Sequence, residues 1–175
     1  GVSYINAFRH QRLINEGSKY GVFTTNRYFR EGGYGNLIGI DGLFTFNTIW
    51  RLQFEFSKSF NKEPVANWIE SEDNFLDKTV KLDGEKFKGS ANYIRLSRNT
   101  EHWNTSIFYK GISPGFRADV GFVPRINRRY GSIYHGYTSF YDKKYLKEFN
   151  TSLKGDINYN YCLLYTSPSP RDPWK

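Results

Sequence analysis

Between residues 50 and 60 the chain alternates strictly. Trp50, Leu52, Phe54, Phe56, Lys58 and Phe60 fall on one side, and Arg51, Gln53, Glu55, Ser57 and Ser59 on the other. A period of two over this stretch predicts a strand with one apolar face, not a helix. At about 3.3 Å per residue and a tilt near 45°, such a strand rises about 25 Å, the height of the apolar band of an outer-membrane barrel. The run 147–161 repeats the pattern: Phe149, Thr151, Leu153, Gly155, Ile157, Tyr159 and Tyr161 oppose Asn150, Ser152, Lys154, Asp156, Asn158 and Asn160. Strands of soluble sandwiches usually run about five or six residues, so two runs of this length favour a barrel.

Six further strands are expected near 3–13, 19–28, 36–46, 86–97, 102–110 and 131–141. In the sixth of the eight, Trp103, Thr105, Ile107 and Tyr109 oppose His102, Asn104, Ser106 and Lys110, with Phe108 out of pattern. In the third, Ile38, Ile40, Phe44 and Phe46 share a face, and Gly42 marks a bulge or a close approach. The joins near 14–18, 47–49, 98–101 and 142–144 are short, and those near 29–35, 61–85 and 111–130 are long. Strict alternation of short and long connections is expected of a barrel whose every second hairpin turns on the periplasmic side. Seven acids against three lysines give the 61–85 connection a net charge of −4. Its interspersed apolar residues predict a short helix or a fold back over the rim.

Composition sharpens this picture. Fifteen Phe, 14 Tyr and 4 Trp in 175 residues suit strands and headgroup-level rings. No apolar run is long enough for a membrane-spanning helix. The opening Gly1-Val2-Ser3-Tyr4 already reads as strand, with no initiator Met, and is taken as internal to a larger protein. From Cys162 the chain reads Cys-Leu-Leu-Tyr-Thr-Ser-Pro-Ser-Pro-Arg-Asp-Pro-Trp-Lys, which resembles translated sequencing-adapter read-through. The domain reading is therefore a partial outer-membrane β-barrel over 1–161 and a non-native tail over 162–175. Cys162, the single cysteine, falls in that tail, so no disulfide or thiol chemistry is expected.

The run Ser113-Pro114-Gly115-Phe116-Arg117-Ala118-Asp119-Val120-Gly121-Phe122-Val123-Pro124-Arg125 resembles the signature of the domain of unknown function 5916 family. It follows Phe108-Tyr109-Lys110-Gly111-Ile112, as in that family. Phe8-Arg9-His10-Gln11-Arg12, Gly21-Val22-Phe23-Thr24-Thr25-Asn26-Arg27 and Gly39-Ile40-Asp41-Gly42-Leu43-Phe44 are also similar to it. The resemblance covers about residues 1–140; His10 departs from its pattern and is read as a lumen contact. It implies a barrel-like region in the outer membrane of a Bacteroidetes-type bacterium. It also implies an upstream secretory signal and a carbohydrate-binding family 9-like domain in the same polypeptide. It implies no settled activity.

Arg117, Asp119 and Arg125 form the leading polar set, read either as a rim element contacting an anionic or sugar-like ligand or as an internal lock. Arg117 and Asp119 are two apart, so in an extended segment they face one way. Pro114 and Pro124 restrict the backbone on either side. Asp41, Glu55 and His102 are polar lumen candidates, as are Asn92, Asn104, Asn150, Asn158 and His135. No catalytic set, cofactor motif or metal-ligand set is read: the three His are scattered, and the acidic 70–77 stretch lacks EF-hand spacing. Nucleic acid is not expected, because Lys and Arg are dispersed rather than gathered in a patch.

The expected fold class is thus all-β, a fragment of an antiparallel transmembrane β-barrel with about eight strands present. The expected function is non-enzymatic: a bacterial outer-membrane barrel region that anchors or assists an exported, glycan-binding domain. Its expected partners are outer-membrane lipid, the upstream domain, and a glycan or envelope protein. Two alternatives are a surface glycan-processing enzyme using Asp41, Glu55 and Asp119, and a soluble all-β binding module. Facing carboxylates in a cleft would mark the enzyme. A sealed core between two sheets would mark the soluble module.

Overall fold

Alternation in the sequence becomes one antiparallel sheet. A computed structural model describes residues 2–67, 81–121, 123, 125–142 and 145–161, with the backbone alone at 74–75 and 78–79. The strands are β1 (Ser3–Asn15), β2 (Ser18–Phe29), β3 (Tyr34–Phe46), β4 (Trp50–Lys62), the two-residue β5 (Val65–Ala66), β6 (Asn74–Phe75), β7 (Lys78–Thr79) and β8 (Leu82–Asp83), then β9 (Lys86–Asn99), β10 (Trp103–Ile112), β11 (Arg128–Phe140) and β12 (Glu148–Tyr159). The long strands form an eight-stranded sheet in the order β1-β2-β3-β4-β9-β10-β11-β12. β5 pairs with β8 and β6 with β7 as separate small ladders. Each of the eight expected strands is present, with ends moved by at most three residues. The sheet is open in its pairing: β1 and β12 are its edges.

Every long strand pairs with its sequence neighbour in the sheet, so the connections fall alternately at the two ends. At one end lie 16–17, 47–49, 100–102 and 141–147; at the other lie 30–33, 63–85 and 113–127. Each connection at the second end is longer than the ones flanking it. The expected strict division into short and long does not hold, however, because 141–147 exceeds 30–33. The tightest joins have local causes. Gly17 (φ 87°) serves the first, and Asn47 (φ 49°) with Thr48 (φ 57°) supplies the paired left-handed residues that a twisted hairpin needs at the second. Among the described residues the 63–85 connection contains short ladders and no helix; the stretch on which a helix or a fold-back was expected lies largely outside the described residues.

Register carries each face across the whole sheet, because residues opposite one another point the same way. One face runs through Ile40↔Phe56, Phe54↔Ile94, Ile94↔Tyr109, Ile107↔Ile133 and His135↔Leu153. Trp50, Leu52, Phe54 and Phe56 therefore share a face with Phe149, Leu153 and Ile157. The elements in contact are sheet neighbours and the two small ladders, so no described element covers this face. Ile38 is 58% exposed, Ile133 51% and Leu153 75%.

The opposite face, called inner here, is mostly polar or small. Arg51, Gln53, Glu55, Ser57, Ser59 and Asn61 of β4 lie on it, as do Asn150, Ser152, Lys154, Asp156 and Asn158 of β12. The buried apolar side chains among the described residues are Phe87, Ile112 and Phe116. They lie together near the long-connection end, between the sheet and the segment that follows β10. No second sheet forms a sandwich core with the described strands.

Candidate functional site

The inner face is cleared of bulk where the 113–121 segment crosses it. Gly35 of β3, Ser57 and Ser59 of β4, and Gly89 and Ala91 of β9 make a floor without large side chains. A Cβ at Gly89 would stand 2.2 Å from the Phe116 backbone, and one at Gly35 would stand 1.8 Å from Asp119 Oδ2. Gly115 approaches equally closely from the other side, since its Cβ would lie 2.5 Å from the Lys88 carbonyl oxygen. At Gly89 and Gly115 backbone faces backbone, which admits only glycine, whereas at Gly35 the neighbour is the Asp119 side chain. Ser113 fastens the start of the segment: its N–H donates to the Ser90 carbonyl (2.9 Å), and its Oγ accepts the Ser90 N–H (2.8 Å). Two tight turns then shape it, Phe116 N–H to Ser113 O (3.2 Å) and Gly121 N–H to Ala118 O (3.0 Å).

The Arg117 and Asp119 side chains take different partners. Arg117 Nη1 donates to Glu63 Oε1 at 2.5 Å, and its guanidinium carbon lies 3.3 Å from the centroid of the Phe87 ring. Its backbone N–H donates to Ser59 Oγ (3.1 Å). Asp119 Oδ2 accepts from Asn61 Nδ2 (3.0 Å), and the Asp119 carbonyl accepts from Arg27 Nη1 (3.2 Å). Arg125 is exposed, outside this network. The geometry is that of an internal lock, built from Arg117–Glu63 and Asp119–Asn61 instead of Arg117–Asp119. Glu63, Asn61 and Arg27 were not singled out by sequence reasoning. Glycines at 35 and 89 inside otherwise regular strands were the available signal.

A second constellation is a row across the sheet. Asp41, Glu55, Tyr93, Lys110, Tyr130 and Asn158 are successive register partners on β3, β4, β9, β10, β11 and β12. A cavity of about 420 Å³ opens beside this row under the crossing segment; Phe23, Ser57, Ile112 and Phe116 line its apolar and small parts, and Glu55, Tyr93 and Lys110 its polar mouth. Arg9 of β1 holds Asp41 through Nη2 to Oδ2 at 2.7 Å. Phe108, which breaks the alternation, faces inward. Its ring centroid lies 6.2 Å from that of Tyr93 and 5.3 Å from that of Tyr130, and Arg95 caps it at 5.1 Å.

The three candidate carboxylates do not converge. Asp41 and Glu55 are direct partners across β3 and β4. Asp119 is bound at Asn61, six residues farther along β4, about 20 Å away at ordinary strand rise. Three His readings change as well. His102 precedes β10 instead of lying in it, and its Nδ1 is 3.0 Å from the Thr138 carbonyl oxygen at the short-connection end. His10 pairs with Val22 and His135 with Leu153, which puts both on the face opposite the inner one. There the His135 ring stacks on Trp103 at 4.9 Å and its Nδ1 meets Thr105 Oγ1 at 2.8 Å. Asn92, partner of Phe56, is on that face too, whereas Asn104, Asn150 and Asn158 face inward.

Among the described residues one grouping of acids is close-set: Glu63, Asp83 and Glu85, at the base of the longest connection, have carboxylate oxygens within 4.8 Å of one another. Comparison with known family models, curated proteins and solved structures gives no match for this chain. What the chain can do is therefore read from its faces and fastened connections.

Proposed function

We propose that this chain is a non-enzymatic region of a transmembrane β-barrel in a bacterial outer membrane, with the uncovered apolar face toward lipid and the inner face toward a wet lumen. The observation that carries the reading is the continuity of two unlike faces across β3, β4 and β9 to β12, strands of 10–14 residues. Lipid leaves backbone groups unsatisfied unless strands pair, and paired strands expose apolar side chains outward and polar ones inward. A water-solvated apolar face this wide would instead be an aggregation site. Trp50 and Trp103 both begin their strands at the short-connection end, which supports the reading because amphipathic rings favour a headgroup level.

The lock that joins 113–121 to Glu63 ties two of the three connections at the other end to the sheet. A firm rim suits an anchor for an exported domain of the same polypeptide, of the glycan-binding class implied by the family resemblance. Folding into vesicles of outer-membrane phospholipid tests this. The expected result is a chain that acquires strand structure only with lipid or detergent, with β-strands protected from added protease and heat-dependent gel mobility. A folded monomer in detergent-free buffer, without vesicle protection, would overturn the membrane reading.

A further inference from the structure

We infer that the inner face carries a binding track for an acidic oligosaccharide, a chain of sugars bearing carboxylates, along the stripe Arg51, Arg95, Lys110 and Arg128. These four are scattered in sequence, and register gathers them. Arg51 lies two residues from Gln53, the partner of Arg95; Arg95 lies two from Tyr93, the partner of Lys110; and Lys110 pairs with Tyr130, two from Arg128. Each is thus the diagonal neighbour of the next on β4, β9, β10 and β11, about 7–8 Å apart. Among the described residues none of the four makes an ion pair, whereas Asp41 and Asp156 of the same face are held by Arg9 (2.7 Å) and Lys154 (3.0 Å). Neighbours in the stripe lie within one Debye length, about 10 Å at 0.1 M salt, so they repel one another until an anion neutralises them.

What holds these cations in place points to the ligand. Arg95 lies 5.1 Å from the Phe108 ring centroid and Arg128 4.8 Å from that of Tyr130, and Arg128 Nε donates to Asn158 Oδ1 (2.9 Å). Neutral partners orient both guanidinium groups and leave their charge uncompensated. That suits carboxylates arriving from outside, which a guanidinium binds through two parallel N–H donors. Lys110, midway along the stripe, stands at the mouth of the cavity of about 420 Å³ under the crossing segment. This volume is in the range of small-molecule sites, about 300–1,000 Å³. Gln53 and Glu55 line the same cavity, and their side chains have no partner among the described residues. Glu55 would repel a simple anion, but its carboxylate accepts hydrogen bonds from hydroxyls, and Gln53 can donate or accept. A sugar ring that offers its acid group to the stripe and hydroxyls to Glu55, with its C–H face against Tyr93 and Phe116, satisfies both. Single-stranded nucleic acid fits less well, because arginines already lie against the Phe108 and Tyr130 rings on which bases would stack.

The track rests on the inner face being wet, as in the reading above, and is independent of what meets the outer face. Calorimetric titration of the full chain, in detergent micelles or in plain buffer if it folds there, with tetragalacturonate, neutral maltotetraose and tetrathymidylate tests it. One tetragalacturonate per chain is expected, weakening with added salt, and the other two probes should bind about tenfold or more less tightly. Arg95→Gln with Lys110→Gln should weaken tetragalacturonate about tenfold or more while leaving the far-ultraviolet β-sheet spectrum unchanged. Lys58→Gln with Arg98→Gln removes the same charge from the opposite face, where these residues pair with Ile38 and Trp50, and should change the affinity less than about twofold. Absence of tetragalacturonate binding to the folded wild-type chain would overturn the track. So would equal losses in the two double variants, or maltotetraose or tetrathymidylate binding as tightly. Folding in buffer without lipid or detergent would bear on the membrane reading alone.

Discussion

A methyl group at Gly35 would stand 1.8 Å from Asp119 Oδ2, whereas at Gly89 it would meet the backbone of Phe116 at 2.2 Å. The two glycines lie under one segment but oppose different kinds of atom. Asp119 can swing its carboxylate away; the Phe116 backbone is fixed by turns and by Ser113. Gly89→Ala is therefore expected to cost more than Gly35→Ala, with the latter near the lower end of the about 1–3 kcal/mol typical of overpacking. Unfolding midpoints in denaturant, measured on the chain in micelles, give the order directly. Equal costs would mean that the segment is not held at Phe116.

Removing Arg117 leaves Glu63 buried without its counter-charge. Breaking a fully buried pair typically costs about 3–5 kcal/mol; Arg117 is 37% exposed, so about 2–3 kcal/mol is expected for Arg117→Ala. Arg117→Lys should recover only part of it, because a lysine does not reproduce the flat guanidinium over Phe87. Chemical denaturation of both variants checks this, and full recovery by lysine would show that the ring contact contributes nothing.

Ile107 and Ser106 are adjacent in β10 and face opposite ways, with Ile133 and Tyr134 as their respective partners. Arginine at a lipid-facing midplane position costs about 2–4 kcal/mol, while lumen positions tolerate polar change. Ile107→Arg is expected to reduce folding into vesicles by that amount, and Ser106→Arg to change it little. Folding titrations against denaturant in phospholipid vesicles measure both. Similar costs on the two faces would remove the distinction between lipid and lumen.

The Arg9–Asp41 pair is more exposed than Arg117–Glu63, with 55% of the Arg9 side chain open. A double-mutant cycle is expected to give a coupling below about 1 kcal/mol, falling further with added salt. Denaturation at low and high ionic strength reads both quantities.

Alternation by itself determined where the strands run and which side chains share a face, because the strand period is fixed by backbone geometry. The rows Trp50–Phe60 and Phe149–Tyr161 were legible for this reason, and Asp41 and Glu55 could be assigned to the same kind of face. Spacing misled where the chain is not extended: Arg117 and Asp119, two apart, were expected to act together, but the turns around Ala118 send them to Glu63 and Asn61. His10 and His135 were misassigned because a lone polar residue on an apolar face looks, in one dimension, like a lumen residue. Only the tertiary structure decided that residues more than 50 positions apart form the lock, and that Glu63 meets Asp83 and Glu85. Such partners are selected by register and by where a long connection returns, and local sequence encodes neither.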